Sequence, residues 1–190
     1  MKLVFLDTEY TGDHAFAALV SVGLVTLDGR ELYVTLNDYA REQVTDWLRE
    51  NVLSLIDEQQ SVSSKEACNQ ISEFLEANSQ GDCISLVSAG KVADLMLLFQ
   101  LWHTQYPAMK YFHSLHGLPH YLNHRRHFDL DTLFMVAGID PAVDRDGFAE
   151  HRFAGNRHDA IHDARVVREC FLKLLRTGAI AHAAEEYIRT

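Results

Sequence analysis

Acidic residues that could hold a metal ion occur in three separate segments of the chain. The first segment, residues 5–9, is the end of an apolar run and carries Asp7 and Glu9. In an extended strand residues i and i+2 point to the same face, so these two carboxylates are expected side by side. Two adjacent carboxylates at the end of a buried strand repel each other unless a cation lies between them. A solvated exit from the strand into a loop is the alternative interpretation of this segment taken alone.

The other two segments place acids and a histidine at the start of predicted helices. Asp94 lies in the first turn of an apolar helical pattern, where an acid also favours the helix dipole. Asp159 is a candidate N-cap, and Asp163 lies one turn inside the helix that follows. His158 immediately precedes this helix and can accept a proton near neutral pH, as the activation of a water molecule requires.

Spacing leaves open which members of the third segment are functional. His158 and His162 are four residues apart, as are Asp159 and Asp163, so each pair shares a helix face. The residues alone therefore allow His162 or Asp159 in place of His158 or Asp163.

The elements that must position these residues form a mixed α/β pattern. Residues 2–7 and 17–26 are predicted strands, and Asp28-Gly29 predicts a tight hairpin that leads into a strand over 31–36. Helical spacing and capping residues predict helices over 40–55, 65–77, 92–103, 131–137, 159–176 and 179–188, with further strands over 83–87 and 127–130.

Length and composition are typical of one domain spanning residues 1–190, with 47% hydrophobic and 23% charged residues. The net charge of −10 argues against a large basic surface for duplex DNA. It does not exclude a nucleic-acid enzyme, because bound metal ions supply positive charge locally. The N-terminal apolar run is too short for a signal peptide and no segment is long enough for a membrane span, so a cytoplasmic location is expected.

The order and spacing of Asp7-x-Glu9, Asp94 and His158-x4-Asp163 resemble the DEDDh class of 3′–5′ exonucleases. The sister class has tyrosine where Asp159 stands here. The resemblance covers most of the chain. It is most extensive with the adenylate-preferring exoribonucleases of the ribonuclease AS type, to which residues 21–31 and 100–102 are also similar. The chain departs from the family pattern at one position. Many family members have an asparagine four residues before the aspartate that corresponds to Asp94, and this chain has Gly90 there.

The resemblance implies a ribonuclease-H-like α/β fold, a central mixed sheet flanked by helices. It also implies hydrolysis of single-stranded RNA from the 3′ end to nucleoside 5′-monophosphates, with a preference for A-rich ends, by a homodimer. His158 would accept the proton of the attacking water, and Thr8 and Tyr10 would contact the terminal nucleotide. Two Mg²⁺ or Mn²⁺ ions would be held by Asp7, Glu9, Asp94 and Asp163. The alternatives are a single-stranded DNA exonuclease and a non-catalytic nucleic-acid-binding module on the same fold.

Two further features of the sequence invite interpretation. The range 113–127 is rich in histidine and contains Arg125 and Arg126. We interpret it as a solvated or nucleic-acid-facing loop rather than a metal site, with both arginines expected to contact phosphates. Trp47 and Trp102 lie in apolar helical patterns and are expected in the core or at an interface rather than as base-stacking surfaces.

Overall fold

A five-stranded sheet forms the centre of the protein, in a computed structural model that describes residues 1–90, 92–105, 118–122, 126–150 and 153–182. The strand order is β3-β2-β1-β4-β5. β2 pairs antiparallel with β1 and β3, whereas β4 pairs parallel with β1 and β5, so the sheet is mixed as predicted. The strands are β1 (Lys2–Tyr10), β2 (Leu19–Thr26), β3 (Glu31–Thr35), β4 (Ile84–Ser88) and β5 (Phe128–Asp129).

The hairpin between β2 and β3 forms where Asp28-Gly29 predicts it. Gly29 has a φ of 89°, a left-handed backbone that glycine adopts without steric cost. The amide of Gly29 donates to the carbonyl of Thr26 at 3.0 Å, and the amide of Thr26 donates to the carbonyl of Arg30 at 2.8 Å. The predicted hairpin between the second and third strands is therefore confirmed.

Helices cover both faces of the sheet. Most lie close to the predicted ranges, and Ser63 caps α2 by accepting a hydrogen bond from the amide of Glu66. Of the helix predicted over 179–188, residues 181–182 are helical and those beyond 182 lie outside the described residues. The helices are α1 (Asp46–Asn51), α2 (Ser64–Ser79), α3 (Val92–Gln105), α4 (Leu130–Val136), α5 (Arg145–Phe148) and α6 (Ala160–Arg176).

The single long helix predicted over 40–55 is wrong. Val44 and Thr45 have extended backbones, with ψ of 112° and 164°, as two successive β-branched residues favour. Thr45 then acts as an N-cap by accepting from the amide of Leu48 at 3.1 Å, so α1 begins only at Asp46. Short 3-10 turns lie on either side of α1.

The alternation of side chains along β1 divides the core into two layers. Val4 and Leu6 pack with α2 and α3 on one face, whereas Leu3 and Phe5 pack with α4 and α6 on the other. Because side chains alternate between the two faces of the sheet along a strand, the residues after Leu6 continue the same alternation. The even-numbered Thr8 therefore lies on the α3 side, and the acids at positions 7 and 9 lie on the α6 side. In the part of the chain that the structure describes, no helix has the length and apolar character needed to cross a membrane.

Candidate active site

A cleft of about 740 Å³ opens at the end of β1. The residues that line it include the ranges 7–13, 47–48, 141–146 and 157–158. The five residues that the sequence singles out for catalysis all line this cleft: Asp7, Glu9, Asp94, His158 and Asp163.

The close approach of α6 to β2 positions the third segment beside the first. A Cβ atom placed on Gly23 would lie 2.1 Å from the carbonyl oxygen of Ala160, so only glycine lets the start of α6 rest on the sheet here. Gly23 is paired with Asp7 in the sheet. Farther along α6, Arg165 binds both carboxylate oxygens of Glu31 at 2.8 and 2.6 Å, which ties the helix to β3. The start of α6 is thereby fixed next to the acidic end of β1.

Glu9, His158 and Asp163 form a tight group in which one potential ligand atom from each lies within 4.8 Å of the others. Nδ1 of His158 is 3.8 Å from Oε1 of Glu9, and the amide of His158 donates to Oδ2 of Asp163 at 3.0 Å. His158 has a φ of 67°, a left-handed conformation that costs a non-glycine residue about 1–3 kcal/mol. This conformation directs the His158 amide at the Asp163 carboxylate.

The electrostatics of Asp163 fit a cation. Burial raises the pKa of its carboxyl, and the nearby Asp146 raises it further, while the hydrogen bond from the His158 amide opposes the shift. The ionised carboxylate is therefore held in a place that disfavours its charge. A divalent cation among these oxygen ligands would offset that cost, and hard cations prefer such ligands.

Asp94 belongs to the same cleft but is supported from the other face of the sheet. It is 2% exposed, and the hydroxyl of Thr8 donates to its Oδ1 at 2.6 Å. The side chain of Thr8 is 4% exposed and lines the cleft, and its predicted contact with the terminal nucleotide stays a prediction.

Gly90, the departure from the family pattern, has a local explanation. A Cβ atom there would lie 2.0 Å from Oδ2 of Asp131, whose other oxygen accepts from Arg145 at 2.5 Å. Gly90 has a φ of 71°, and its amide donates to Asp129 at 2.8 Å. An asparagine could not occupy this position without displacing Asp131. In this chain it is the hydroxyl of Thr8 that donates a hydrogen bond to Asp94.

The remaining predicted substrate residues lie in different places, and their contacts with substrate stay predictions. Tyr10 lines the cleft, and its hydroxyl donates to Asp13 at 3.0 Å. Arg126 is exposed and does not line the cleft, and Arg125 lies outside the described residues. Of the histidine-rich range, residues 118–122, 126 and 127 are described. His127 accepts from the amide of Leu86 in β4 at 3.1 Å, so this histidine is part of the fold rather than of a loop surface.

The surroundings of His162 and Asp159, the alternative functional residues of the third segment, differ from those of His158 and Asp163. His162 is 5% exposed, its Nε2 lies 3.1 Å from Oδ1 of Asp146, and Gly155 packs directly on its ring. Asp159 occupies the N-cap position of α6, but its side chain makes no capping hydrogen bond, contrary to the prediction. Neither residue is among those lining the cleft in the described part of the chain, whereas His158 and Asp163 are.

Among the cleft residues that the sequence did not assign to a site, Trp47 and Arg157 lie next to the catalytic candidates. Trp47 was expected in the core or at an interface. It is instead 54% exposed, and its ring packs edge-on against His158 with 5.0 Å between centroids. Trp102, in contrast, is 2% exposed as expected. Arg157 lines the cleft with a largely exposed side chain, and its position next to His158 was the only signal for it.

Comparisons with known proteins agree with this geometry. A 3′-exonuclease with a solved structure superposes with a TM-score of 0.66, at 12% identity over 94% of this chain and 83% of its own. Cell-death related nuclease 4 gives a TM-score of 0.68, at 13% identity over 93% of this chain and 64% of its own. At such identities these matches show the fold alone, and they confirm the ribonuclease-H-like α/β architecture.

The sequence matches identify the family of the chain more specifically than the structural matches do. The 3′-5′ exoribonuclease Rv2179c of Mycobacterium tuberculosis (strain H37Rv) is 32% identical over 101 residues. That stretch covers 52% of this chain and 60% of the relative. A family model described as the 3′-5′ exoribonuclease Rv2179c-like domain matches residues 2–175. The chain therefore belongs to the Rv2179c-like 3′-5′ exoribonuclease domain family.

Proposed function

We propose that this chain is a divalent-metal-dependent exonuclease that removes nucleoside 5′-monophosphates from the 3′ end of single-stranded RNA. The observation that carries the proposal is the grouping of Glu9, His158 and Asp163, with Asp7 and Asp94 in the same cleft, in a chain of this family. A non-catalytic binding module would need neither the carboxylates nor the histidine among them.

The carboxylates are the residues that would hold the metal. Asp7, Glu9, Asp94 and Asp163 offer only oxygen ligands, as Mg²⁺ and Mn²⁺ prefer. When bound, two such ions supply positive charge that stabilises the scissile phosphate and favours ionisation of a water molecule. Thr8 orients one of these carboxylates by its hydrogen bond to Asp94, and the His158 amide orients another by its bond to Asp163.

His158 is the residue that would move the proton. Its side chain is 41% exposed, so it can accept a proton from water that reaches the phosphorus atom. The attacking oxygen forms a bond to phosphorus, the bond from phosphorus to the 3′ oxygen breaks, and the leaving oxygen takes up a proton. Trp47 packs against the imidazole and restricts where it can lie.

A degradation assay tests the proposal directly. RNA and DNA homopolymers labelled at the 5′ or the 3′ end are incubated with the protein and Mg²⁺ or Mn²⁺, with and without EDTA. We expect 5′-labelled RNA to shorten one nucleotide at a time and 3′-labelled RNA to release labelled mononucleotide at once, in both cases only with metal. Faster degradation of poly(A) would support the adenylate preference. Faster degradation of DNA than of RNA, or degradation that EDTA does not stop, would contradict the proposal.

A matched variant separates this activity from a contaminating nuclease. Asp163→Asn keeps the shape of the side chain and removes its charge, so it should abolish most metal-dependent degradation. Equal activity in this variant and the wild type would show that the cleft is not the site. The homodimer and the cytoplasmic location stay predictions, which size-exclusion chromatography and localisation in cells would test.

A further inference from the structure

Arg157 brings a positive charge into a cleft that is mostly acidic. Besides the four carboxylates proposed to hold metal ions, the acids Asp13, Asp144 and Asp146 line the cleft in the part of the chain that the structure describes. The arginines that line it in the same described ranges are Arg145 and Arg157. Because RNA carries a negative charge on every phosphate, the acids repel the strand wherever no cation lies nearby.

The two arginines differ in their freedom to bind a ligand. Nη2 of Arg145 donates to Oδ1 of Asp131 at 2.5 Å, and the side chain of Arg145 is 32% exposed. If Arg145 left this pair, a partly buried carboxylate would lose its counterion, which is costly. The side chain of Arg157 is 71% exposed, so it can reach a ligand in the cleft at little cost.

Asp146 and His162 limit where the Arg157 side chain can lie. Nε of Arg157 is 4.0 Å from Oδ2 of Asp146, and Oδ1 of the same carboxylate is 3.1 Å from Nε2 of His162. His162 is 5% exposed, and Gly155 packs directly on its ring, so the imidazole is fixed. One oxygen of Asp146 is thus anchored to α6, and the other attracts the guanidinium loosely enough for it to bind a second anion.

The position of Arg157 in the chain indicates which anion it would meet. Its Cα atom is about 3.8 Å from that of His158, as for any neighbouring residues. His158 lies with Glu9 and Asp163, where metal ions would neutralise the scissile phosphate. The next phosphodiester toward the 5′ end would meet Asp13, Asp144 or Asp146 without a metal ion of its own. A guanidinium suits that phosphodiester, since its planar fork donates two parallel hydrogen bonds to phosphate oxygens.

We infer that Arg157 binds the phosphodiester immediately 5′ of the scissile one, and that Asp146 is a positioning residue held in place by His162. This inference rests on the proposed function and adds a contact that retains the strand upstream of the reaction. Arg157 then acts on binding rather than on the chemical step, because the phosphate that it contacts is not the one that reacts.

RNA with a single uncharged linkage tests the contact. An oligonucleotide with one methylphosphonate next to the scissile linkage is compared with unmodified RNA, and release of the first 3′ nucleotide is measured. We expect Arg157→Met to raise KM for unmodified RNA by about 10-fold, the lower range for hydrogen bonds to a charged group, with kcat unchanged. The methylphosphonate should raise KM of the wild type by a similar factor, and it should not raise KM of Arg157→Met further.

Salt dependence provides an independent measurement of the same contact. Loss of one phosphate contact on a single strand changes the slope of log KM against log salt by about 0.7. We expect Arg157→Met to flatten the slope by about this amount, whereas Arg157→Lys should keep most of it because the charge remains. Arg30→Met is the matched control: Arg30 is also an exposed arginine paired with an aspartate, at 3.2 Å from Asp28, but it does not line the cleft. Its KM and slope should equal those of the wild type.

Asp146→Asn tests the positioning role, since it keeps the shape of the side chain and removes its charge. We expect KM for unmodified RNA to rise by about 2- to 5-fold, as for loss of an exposed ion pair. In the Arg157→Met background the same change should not raise KM, because Asp146 acts through Arg157. An equal rise in both backgrounds would overturn the positioning role.

Two kinetic results would overturn the contact itself. One is an unchanged KM and salt slope in Arg157→Met, or a methylphosphonate effect as large in this variant as in the wild type. The other is a lower kcat with unchanged KM, which would assign Arg157 to the reacting phosphate instead.

A binding measurement separates failure of the contact from failure of the proposed function. Fluorescence anisotropy of 5′-labelled RNA gives the Kd with Ca²⁺ in place of Mg²⁺. A weaker Kd in Arg157→Met, together with no degradation of RNA by the wild type under Mg²⁺, would refute the exonuclease and keep the contact. Degradation by the wild type, with equal Kd values in both proteins, would refute the contact and keep the exonuclease.

Discussion

Gly23→Ala tests whether the close contact between β2 and α6 assembles the site. The added Cβ would lie 2.1 Å from the Ala160 carbonyl oxygen, whereas ordinary contacts begin at 3.4 Å. Relief of this overlap requires the start of α6 to move by about 1.3 Å, because both groups belong to backbone that cannot rotate away. His158 and Asp163 lie at this end of α6, so they would move relative to Glu9 on β1.

A displacement of this size exceeds what a catalytic site tolerates. A misplacement of about 1 Å can lower the rate on the order of 100-fold, so we expect kcat/KM for RNA to fall by about that factor in Gly23→Ala. Overpacking of a core contact should also lower the free energy of unfolding by about 1–3 kcal/mol. The assay is the degradation of 5′-labelled RNA under Mg²⁺, with urea denaturation of the same samples.

Gly81→Ala separates loss of stability from loss of geometry. Gly81 has a φ of 85°, and a Cβ atom there would meet nothing within 4 Å. Alanine in this left-handed conformation should cost about 1–2 kcal/mol of stability, comparable to the cost at Gly23, without any displacement of α6. We therefore expect Gly81→Ala to be destabilised and fully active. A folded Gly23→Ala protein with wild-type kcat/KM would refute the role assigned to this contact.

Three further outcomes follow from the site, and a fourth follows from the sequence. His158→Ala should lower kcat for RNA by about 100- to 10,000-fold with an unchanged circular dichroism spectrum; full activity would exclude it as the base. Asp163→Asn should stabilise the metal-free protein. The raised pKa of Asp163 means that its contribution to stability is lost as pH rises through that pKa, so the advantage of the variant in urea denaturation should grow from acidic to neutral pH. Mg²⁺ or Mn²⁺ at about 100 times its Kd should stabilise the wild type by about 2.7 kcal/mol, seen as a higher Tm, and should stabilise Asp163→Asn far less. Replacement of Arg125 and Arg126 by alanine should raise KM and weaken its dependence on salt, and unchanged values would remove them from the substrate path.

The sequence predicts the strands well because they depend on local patterns. The apolar run before Asp7 fixes a buried strand, and the period of two places Glu9 on the same face. Val44 and Thr45 show where such reasoning fails, since helical spacing of apolar residues continues across them although their backbones are extended. Trp47 was assigned to the core for the same reason, because hydrophobic periodicity does not distinguish a ring that faces a cleft from one that faces the interior.

Other parts of the site depend on contacts between distant segments, which no local pattern encodes. The bond from Thr8 to Asp94 joins residues 86 positions apart, and the pairing of His162 with Asp146 depends on how α5 docks on α6. The requirement for glycine at position 23 likewise becomes visible only once the carbonyl of Ala160 is seen to lie against it. Choosing His158 and Asp163 over His162 and Asp159 needed the family pattern first, and the cleft now favours the same pair.

The start of α6 indicates what this region of the fold is built for. Asp159 occupies the N-cap position, where a capping hydrogen bond would contribute about 1 kcal/mol, yet its side chain makes none. The preceding residue, His158, adopts a left-handed backbone at a cost of about 1–3 kcal/mol. What these departures provide is an amide directed at Asp163, a carboxylate that burial disfavours as an anion. A helix end selected for stability alone would use the cap and relax His158, and it would not bury the acid. Departures from local rules that converge on a single carboxylate are typical of a functional site, where stability is given up for a fixed arrangement of charges.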